Sequence, residues 1–286
     1  FQAGEEGVGK LPAHHAGLFY VQEPSACSAV TVLDPQPGER VLDLCAAPGG
    51  KSTQIAGLLE GRGLLWSNEL VKGRAQILLS NVERLGVRNA VVSSCHPQRL
   101  CESLQGFFAR VLVDAPCSGE GMFRRDPAAA AQWTPESPAA CAQRQRAILD
   151  SAALAVKEGG VLVYSTCTFA KEENEDNVRW FLSAHPEFTL VPLEVSFGRP
   201  GLEGLPVRRI YPMDGGEGHF VAKFQRMGEN VSRGGRFDGF LSRREEPEAR
   251  ALFEELFACP WPGNAACFGD RLLLLPEGLP ELSGLG

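Results

Sequence analysis

The sequence of 286 residues has nine cysteines but no Cys-x-x-Cys pair. Zinc-site spacing and the dithiol motif of a thiol oxidoreductase are therefore both missing. An odd number of thiols without such spacing fits a reduced, cytoplasmic protein better than a disulfide framework. Cys27, Cys101 and Cys141 are expected to be small buried apolar residues. No apolar run approaches the ~18–20 residues of a membrane span, so no membrane partner is expected, and no signal-peptide pattern is visible. An excess of positive charge is missing too. Lys and Arg number 28 against 35 Asp and Glu, and the net charge of -7 excludes a generic basic nucleic-acid coat. A local patch on an acidic whole is not excluded: Arg124-Arg125, Arg144 with Arg146, Arg208-Arg209 and Arg243-Arg244 are arginine pairs, though most arginines are solvated surface residues and such pairs alone are weak signals. The chain opens on Phe1, so residues 1–37 are expected to be an N-terminal segment that is truncated. A monomer is the default expectation.

From Val41 a regular alternation begins. VLDLC (41–45) is a short apolar run, followed by the turn AAPGG and a helical pattern, KSTQIAGLLE. GLLWSNE (63–69) reads as a second strand, and the spacing over 70–86 predicts a helix stopped by Gly86. NAVVSS (89–94) and ARVLVDA (109–115) are strands three and four. Residues 116–137 are irregular, and SPAACAQRQRAILDSAALAVKEGG (137–160) predicts a long helix closed by glycines. VLVYST (161–166) is a fifth strand, 173–185 a helix and HFVAKFQR (219–226) a last strand. Near-continuous Val and Leu in the strands, alternating with helices, predict an α/β fold: a mostly parallel sheet with helices on both faces, spanning 38–227. Within 228–286, GENVSRGGRFDG (228–239) reads as a linker. A partial C-terminal region follows, with a short helix (EARALFEELFA) and a strand candidate (RLLLLP).

Right-handed crossovers place the strand C-terminal ends along one edge, where open sheets bind ligands. Four features of the chain fall there. DLCAAPGGK (43–51) is a tight strand-to-helix turn of the kind that lets backbone approach a ligand. It is neither G-x-G-x-x-G nor a Walker A loop, which disfavours a dinucleotide or a nucleoside triphosphate. Glu69, one βαβ unit later, stands where a carboxylate binds ribose hydroxyls. Cys117 in LVDAPCSGEGMFRRDP and Cys167 in YSTCTFAKEENEDN each follow an apolar run. Two thiols at two strand ends are compatible with packing, a disulfide, a metal site or a reaction centre.

Read as ordered units, CAAPGGK, then NEL after the second strand, then DAPCSGEGMFRRDP and YSTCTFAKEENE resemble the Nop/Sun family of RNA cytosine-5 methyltransferases. HHAGLFYVQEPSA and GEGHFVAKF look most like its bacterial small-subunit rRNA enzymes of the RsmF type. The resemblance spans residues 11–226. It implies a Rossmann-like class I methyltransferase fold. It implies S-adenosylmethionine as methyl donor, held by Cys45, Ala46, Ala47, Pro48, Gly49, Gly50, Lys51, Glu69 and Asp114. It also implies RNA as partner, with small-subunit rRNA or the subunit itself favoured. A transfer RNA substrate, or a non-catalytic RNA-binding assembly factor, are the alternatives. The chain departs from the family pattern after strand three. Where an acid often meets the adenine edge, SSCHPQRL places His96, whose neutral imidazole can accept or donate a hydrogen bond.

The two thiols then have a chemistry to serve. Cytosine C5 is a poor nucleophile, and a thiolate adding at C6 makes it enamine-like. Cysteine suits this because it attacks near neutral pH and can leave again. Asp114, three residues before Cys117, is placed to meet the base, either protonated or binding the protonated ring, and Lys51 to steady it. Chemistry alone does not choose between the thiols. The resemblance implies that Cys167 attacks and that Cys117 helps to release the RNA adduct. GEGMFRRDP is expected to form a loop over the site, with Arg124 and Arg125 toward phosphates and Phe123 or Phe19 beside the extruded base. Tyr20, Gln22, Glu23 and Pro24 match the family with no evident physical role. The acids of KEENEDN are expected to cap the helix that follows.

Overall fold

The computed structural model describes residues 7–228, 245–256, 261, 265–268, 271–276 and 278–280. Two short helices, α1 (Pro12–His15) and α2 (Cys27–Leu33), precede β1 (Arg40–Asp43). Then come α3 (Gly50–Leu59), β2 (Leu64–Asn68), α4 (Lys72–Arg84), β3 (Ala90–Ser93), α5 (Pro97–Ser103) and β4 (Phe108–Asp114). Helices α6 (Pro127–Gln132) and α7 (Ser137–Ala155) lead to β5 (Val156–Thr166), α8 (Glu175–Ala184), β6 (Phe188–Val191), β7 (Arg199–Pro200), β8 (Arg208–Ile210) and β9 (His219–Arg226). Further on lie α9 (Glu245–Leu256) and an antiparallel pair, β10 (Ala265–Phe268) with β11 (Arg271–Leu274). Apart from Gly228, the linker expected at 228–239 lies outside the described residues.

The main sheet runs β3-β2-β1-β4-β5-β9-β8-β7, with β6 also on β9. The pairs from β3 through β5 are parallel, and β9 closes antiparallel on β5. Successive strand residues serve opposite faces. Leu42, Val111, Val113, Leu162, Tyr164, Phe220 and Phe224 join one core with residues of α5, α7 and α8. Their neighbours Val41, Leu112, Val163 and Val221 join the other, with residues of α2 and α3. Both faces are thus covered, and the strand C-terminal ends stay open along one edge.

The structure departs from the sequence reading in four places. The helix expected over 137–160 ends at Ala155, and Val156–Gly160 belong to β5. Phe108 pairs with Val156 but Arg110 with Val161, so KEGG is a bulge in the strand rather than a helix stop. Gly160 is required there because a Cβ would lie 2.9 Å from Ala109 O. The second departure is α2, which drew no helix assignment. Ser28, Ala29, Val30, Val32 and Leu33 are all buried, so no polar face marks the helical period. Third, Cys101 is buried as expected, whereas Cys27 and Cys141 are only partly covered.

Fourth, the KEENEDN run places Glu175 and Asp176 in the first turn of α8 as expected, but much of it is buried. Glu173, Asn174 and Glu175 are fully buried. Glu175 forms an ion pair with Arg209 of β8, itself only 2% exposed, and accepts the Leu202 N–H at 3.0 Å. Arg209 also donates to Phe169 O at 2.9 Å, two residues beyond Cys167. Removing one partner of such a pair strands a buried charge, at a cost of about 3–5 kcal/mol. Arg209→Met is therefore expected to lower the unfolding free energy by that amount in denaturant titration. Arg209→Met combined with Glu175→Leu recovers most of it. Equal stability of the single variant and the parent would remove the pair from the list of stabilising contacts.

Candidate active site

The turn after β1 is built from both sides. Ala46 and Ala47 pack against Leu78 and Val82 of α4. Arg74 donates to Ala47 O at 2.9 Å and Asn81 to Pro48 O at 2.9 Å. Gly49 sits at φ 117, and Gly50 opens α3 with Tyr20 and Gln22 side-chain atoms 3.1 Å from where its Cβ would be. Those two residues of the N-terminal motif thus roof the turn. At the next strand end Glu69 is 4% exposed, accepts the Val71 N–H at 2.9 Å and lies 3.4 Å from Arg74. His96 shares this edge but is exposed, and its Nδ1 accepts the Gln98 N–H at 3.3 Å, capping α5. In the neutral ring Nε2 then carries the proton, so His96 offers a ligand a donor where an acid would offer an acceptor.

Asp43, at the end of β1, is fully buried beneath this turn. Ser52 donates to its Oδ2 at 2.7 Å, and Oδ1 has no protein partner. Burial pushes its pKa up to about 7, against the Ser52 hydrogen bond. Burial and then the carboxylates of Asp43, Asp114 and Glu69 hold the Cys45 thiol well above its usual range.

At the ends of β4 and β5 the two remaining thiols meet. Cys117 Sγ and Cys167 Sγ are 3.2 Å apart and not bonded to each other. Asp114 Oδ2 pairs with Lys51 Nζ at 2.8 Å, and Ser165 donates to Oδ1 at 2.8 Å. Burial works to raise the Asp114 pKa, but the charge and hydrogen bond of Lys51 and the Ser165 hydroxyl carry it below the usual carboxylate range. In the free protein Asp114 thus favours the carboxylate form. The thiols differ in their surroundings. Cys167 is lowered by the hydrogen bond from Cys117 and, against its burial and Asp114, by the Lys51 charge. Cys117 is raised well above its usual range by that same hydrogen bond, by burial and by Cys167 and Glu173. Of the two, Cys167 is the thiol whose surroundings favour ionisation, and Cys117 the one whose surroundings hold the proton.

A buried polar frame, invisible in the spacing of the sequence, fixes both loops. Glu173 accepts the Ser118 N–H at 3.0 Å, the Ser118 hydroxyl and Gln145 Nε2 at 2.7 Å. Gln145 also donates to Pro116 O at 3.1 Å. Tyr164 OH donates to Glu173 O at 2.6 Å. Glu120 accepts Phe169 N–H at 2.9 Å and Thr168 Oγ1 at 3.1 Å, and Gly121 N donates to Cys167 O at 2.8 Å. The GEGM segment thus lies on the Cys167 loop, with no room for a Cβ at Gly121. The one signal in the sequence for Glu173 was the acidic run KEENEDN, of which Glu173, Asn174, Glu175 and Asn177 are buried. Arg124 and Arg125 are exposed on the loop that follows, Phe123 meets Trp133 edge-on at 6.4 Å, and Phe19 meets His14 at 5.7 Å. A separate cavity of about 300 Å³, lined by Gln105, His185, Glu187 and Arg226 among others, lies at the opposite edge of the sheet and contains none of these residues. Among the described residues no helix is long and apolar enough to cross a membrane.

A mostly parallel sheet with helices on both faces and a βα turn of this kind defines a Rossmann-like, class I methyltransferase fold. Residues 30–225 match the family described as 16S rRNA methyltransferase RsmB/F, and the chain belongs to that family. It is 38% identical over 227 residues to ribosomal RNA small subunit methyltransferase F of Cronobacter sakazakii, covering 77% of this chain and 47% of that protein. The chain thus spans about half the length of such curated relatives. Among solved structures, PH0851 superimposes with a TM-score of 0.74 at 36% identity, over 78% of this chain and 50% of that one. NSun6 from Pyrococcus horikoshii with SFG gives 0.70 at 32% identity, over 78% of this chain and 57% of that one.

Proposed function

We propose that this chain carries out S-adenosylmethionine-dependent methylation of cytosine C5 in RNA, with small-subunit rRNA as the substrate, through a covalent bond between Cys167 and cytosine C6. The observation that carries the reading is the asymmetric thiol pair, with Cys167 beside Lys51 and the ionised Asp114, and Cys117 beside Glu173. Membership of a 16S rRNA methyltransferase family supports the substrate, and the SFG-bound neighbour, SFG being an S-adenosylmethionine analogue, supports the donor.

The residues at the turn fit such a donor. The orphaned Oδ1 of buried Asp43, the Gly49-Gly50 backbone at the start of α3 and the carboxylate of Glu69 face the edge that would hold its amino-acid and ribose ends. When bound, the donor supplies a methyl group on a sulfonium. The protein does the rest. Cys167 Sγ attacks C6, and the C5–C6 π pair moves onto C5 and the ring. Lys51 offsets the charge that builds at the base edge, and the Asp114 carboxylate accepts a hydrogen bond from the N3 or N4 side of the ring. C5 takes the methyl group with that electron pair. The C5 proton then passes to water, its electrons restore the C5–C6 double bond, and the S–C6 bond breaks. The Cys117 thiol, hydrogen-bonded to Cys167, favours departure of the thiolate.

Small-subunit rRNA containing 5-fluorocytosine, incubated with the protein and S-adenosylmethionine, tests this. Fluorine at C5 blocks the last step, so an adduct that survives denaturation and maps to Cys167 is the expected product. Clear donor binding by calorimetry with no adduct on rRNA would overturn the RNA substrate. Loss of donor binding as well would overturn the enzyme reading.

A further inference from the structure

We infer that His219 is a positioning residue for this reaction, held behind Asp114 by the QEPS and GEGH segments so that its imidazole fixes the orientation and ionisation of the Asp114 carboxylate. The inference rests on the function proposed above.

His219 opens β9 and is 4% exposed. Its Nε2 lies 3.6 Å from Asp114 Oδ1, across β5, and that nitrogen is buried without a hydrogen-bond partner. Asp114 keeps 28% of its side chain exposed and so faces the substrate side, with His219 behind it. A carboxylate selects the tautomer that points an N–H at it. In the tautomer with the proton on Nε2, His219 presents an N–H to Oδ1 at a distance longer than a hydrogen bond, with the Gly218 backbone beside the ring. Asp114 already has Lys51 on Oδ2 and Ser165 on Oδ1, and His219 supplies a third side. The ring is neutral at working pH. Burial and the Lys51 charge push its pKa down to about 4, against Asp114, Glu23 and a hydrogen bond with the Gly218 backbone. It acts as a dipole and not as a second cation.

Two segments that touch neither thiol directly explain why the ring sits there. Glu23 accepts the Ser25 N–H at 2.9 Å, the Ala26 N–H at 2.9 Å and, across the chain, the Glu217 N–H at 3.0 Å. Gly218 N donates to Ser25 Oγ at 3.4 Å, and a Cβ on Gly216 would lie 2.5 Å from Ser25 Cβ. Gly218 in turn lies against Gly121 of the Cys117 loop and against the Phe169 ring. The residue before His219 is thereby fixed from three sides, so the imidazole has one place to go. This gives Glu23 of the N-terminal motif a physical role that its sequence alone did not suggest.

The test compares the parent with His219→Phe and His219→Gln in single-turnover adduct formation on 5-fluorocytosine rRNA across pH. The groups facing Asp114 are Lys51, Asp43, Cys45, Cys167 and His219, and only His219 is changed. Losing the N–H dipole raises the Asp114 pKa, so ionised Asp114 is lost at higher pH than in the parent. His219→Phe is expected to slow adduct formation about tenfold or more, as part of an acid–base contribution, with its acid limb moved to higher pH and donor affinity unchanged. His219→Gln keeps a side-chain donor and returns both the rate and the limb toward the parent. An unshifted acid limb in His219→Phe, or a loss of donor affinity in parallel with rate in both variants, would reduce His219 to packing. Absence of any adduct in the parent would overturn the proposed function, and this inference with it.

Discussion

Cys167→Ala is expected to abolish adduct formation, and Cys117→Ala to leave the protein joined to ordinary, unfluorinated RNA. The first variant loses the nucleophile, and methyl transfer should fall by about 10⁴-fold or more, the scale on which a covalent nucleophile's removal is felt. The second retains it. Its loss is the thiol 3.2 Å from Cys167 Sγ, whose hydrogen bond favours the Cys167 thiolate in both the attack and the departure. A hydrogen bond to a charged group contributes about 1.5–3 kcal/mol, so attack slows by roughly tenfold or somewhat more while release slows as well. The adduct therefore forms and lingers. Denaturing electrophoresis of protein with methyl-labelled RNA reads both variants in one gel. The surroundings argue for this assignment independently of any family pattern: a thiolate belongs beside Lys51, and a thiol beside the Glu173 carboxylate. A lingering adduct in Cys167→Ala, with none in Cys117→Ala, would reverse the roles.

Much of this site was legible because its chemistry is concentrated at strand ends. An apolar run followed by Cys, or by Ala-Pro-Gly-Gly, announces a βα turn, and the parallel sheet gathers such turns on one edge. Strands β1 to β5 and β9 followed from Val and Leu runs, and Gly86, at φ 66, ends α4 as its position suggested. What stayed hidden depends on burial, which composition does not reveal. Glu173, Asn174 and Glu175 look like a solvated charge run, yet each is closed inside the fold by a partner outside the run: Ser118 and Gln145, Thr166, and Arg209. The KEGG bulge reads as a helix stop because Gly serves both ends equally well in a sequence pattern. His219 reads as one more strand residue, because nothing in HFVAKF shows that its ring crosses β5 to reach Asp114. The ionisation of Asp114 was beyond sequence for the same reason, since it turns on Lys51 arriving at 2.8 Å from the start of α3.

That arrival makes Lys51→Met the variant with the largest electrostatic consequence. Lys51 is 12% exposed at its side chain, and its own pKa is raised, burial notwithstanding, by the charge and hydrogen bond of Asp114 and by Asp43 and Cys167. It is thus a firm cation between the two anions the reaction needs. Removing it raises the pKa of Asp114 and of Cys167 together, so both lose their charge at higher pH than in the parent. The adduct rate depends on both being deprotonated. At neutral pH it should fall by about 10²- to 10³-fold, the usual scale for removing one preorganised stabilising charge. The sign of the pH dependence follows. The parent rate rises with pH through the lowered pKa of Cys167 and then levels, whereas the Lys51→Met rate should still be climbing where the parent is flat. Stability moves in the sense of a depressed carboxylate. The contribution of Asp114 in the parent is fully present above its unfolded value near ~4 and is lost as pH falls through the lower folded one, so the variant should gain less on going from acid to neutral pH. Single-turnover adduct formation and denaturant unfolding, each followed across pH, measure the two effects separately. A Lys51→Met rate profile that is the parent's scaled down, with no displacement along pH, would mean that Lys51 serves only to bind the base and does not set the ionisation of the pair.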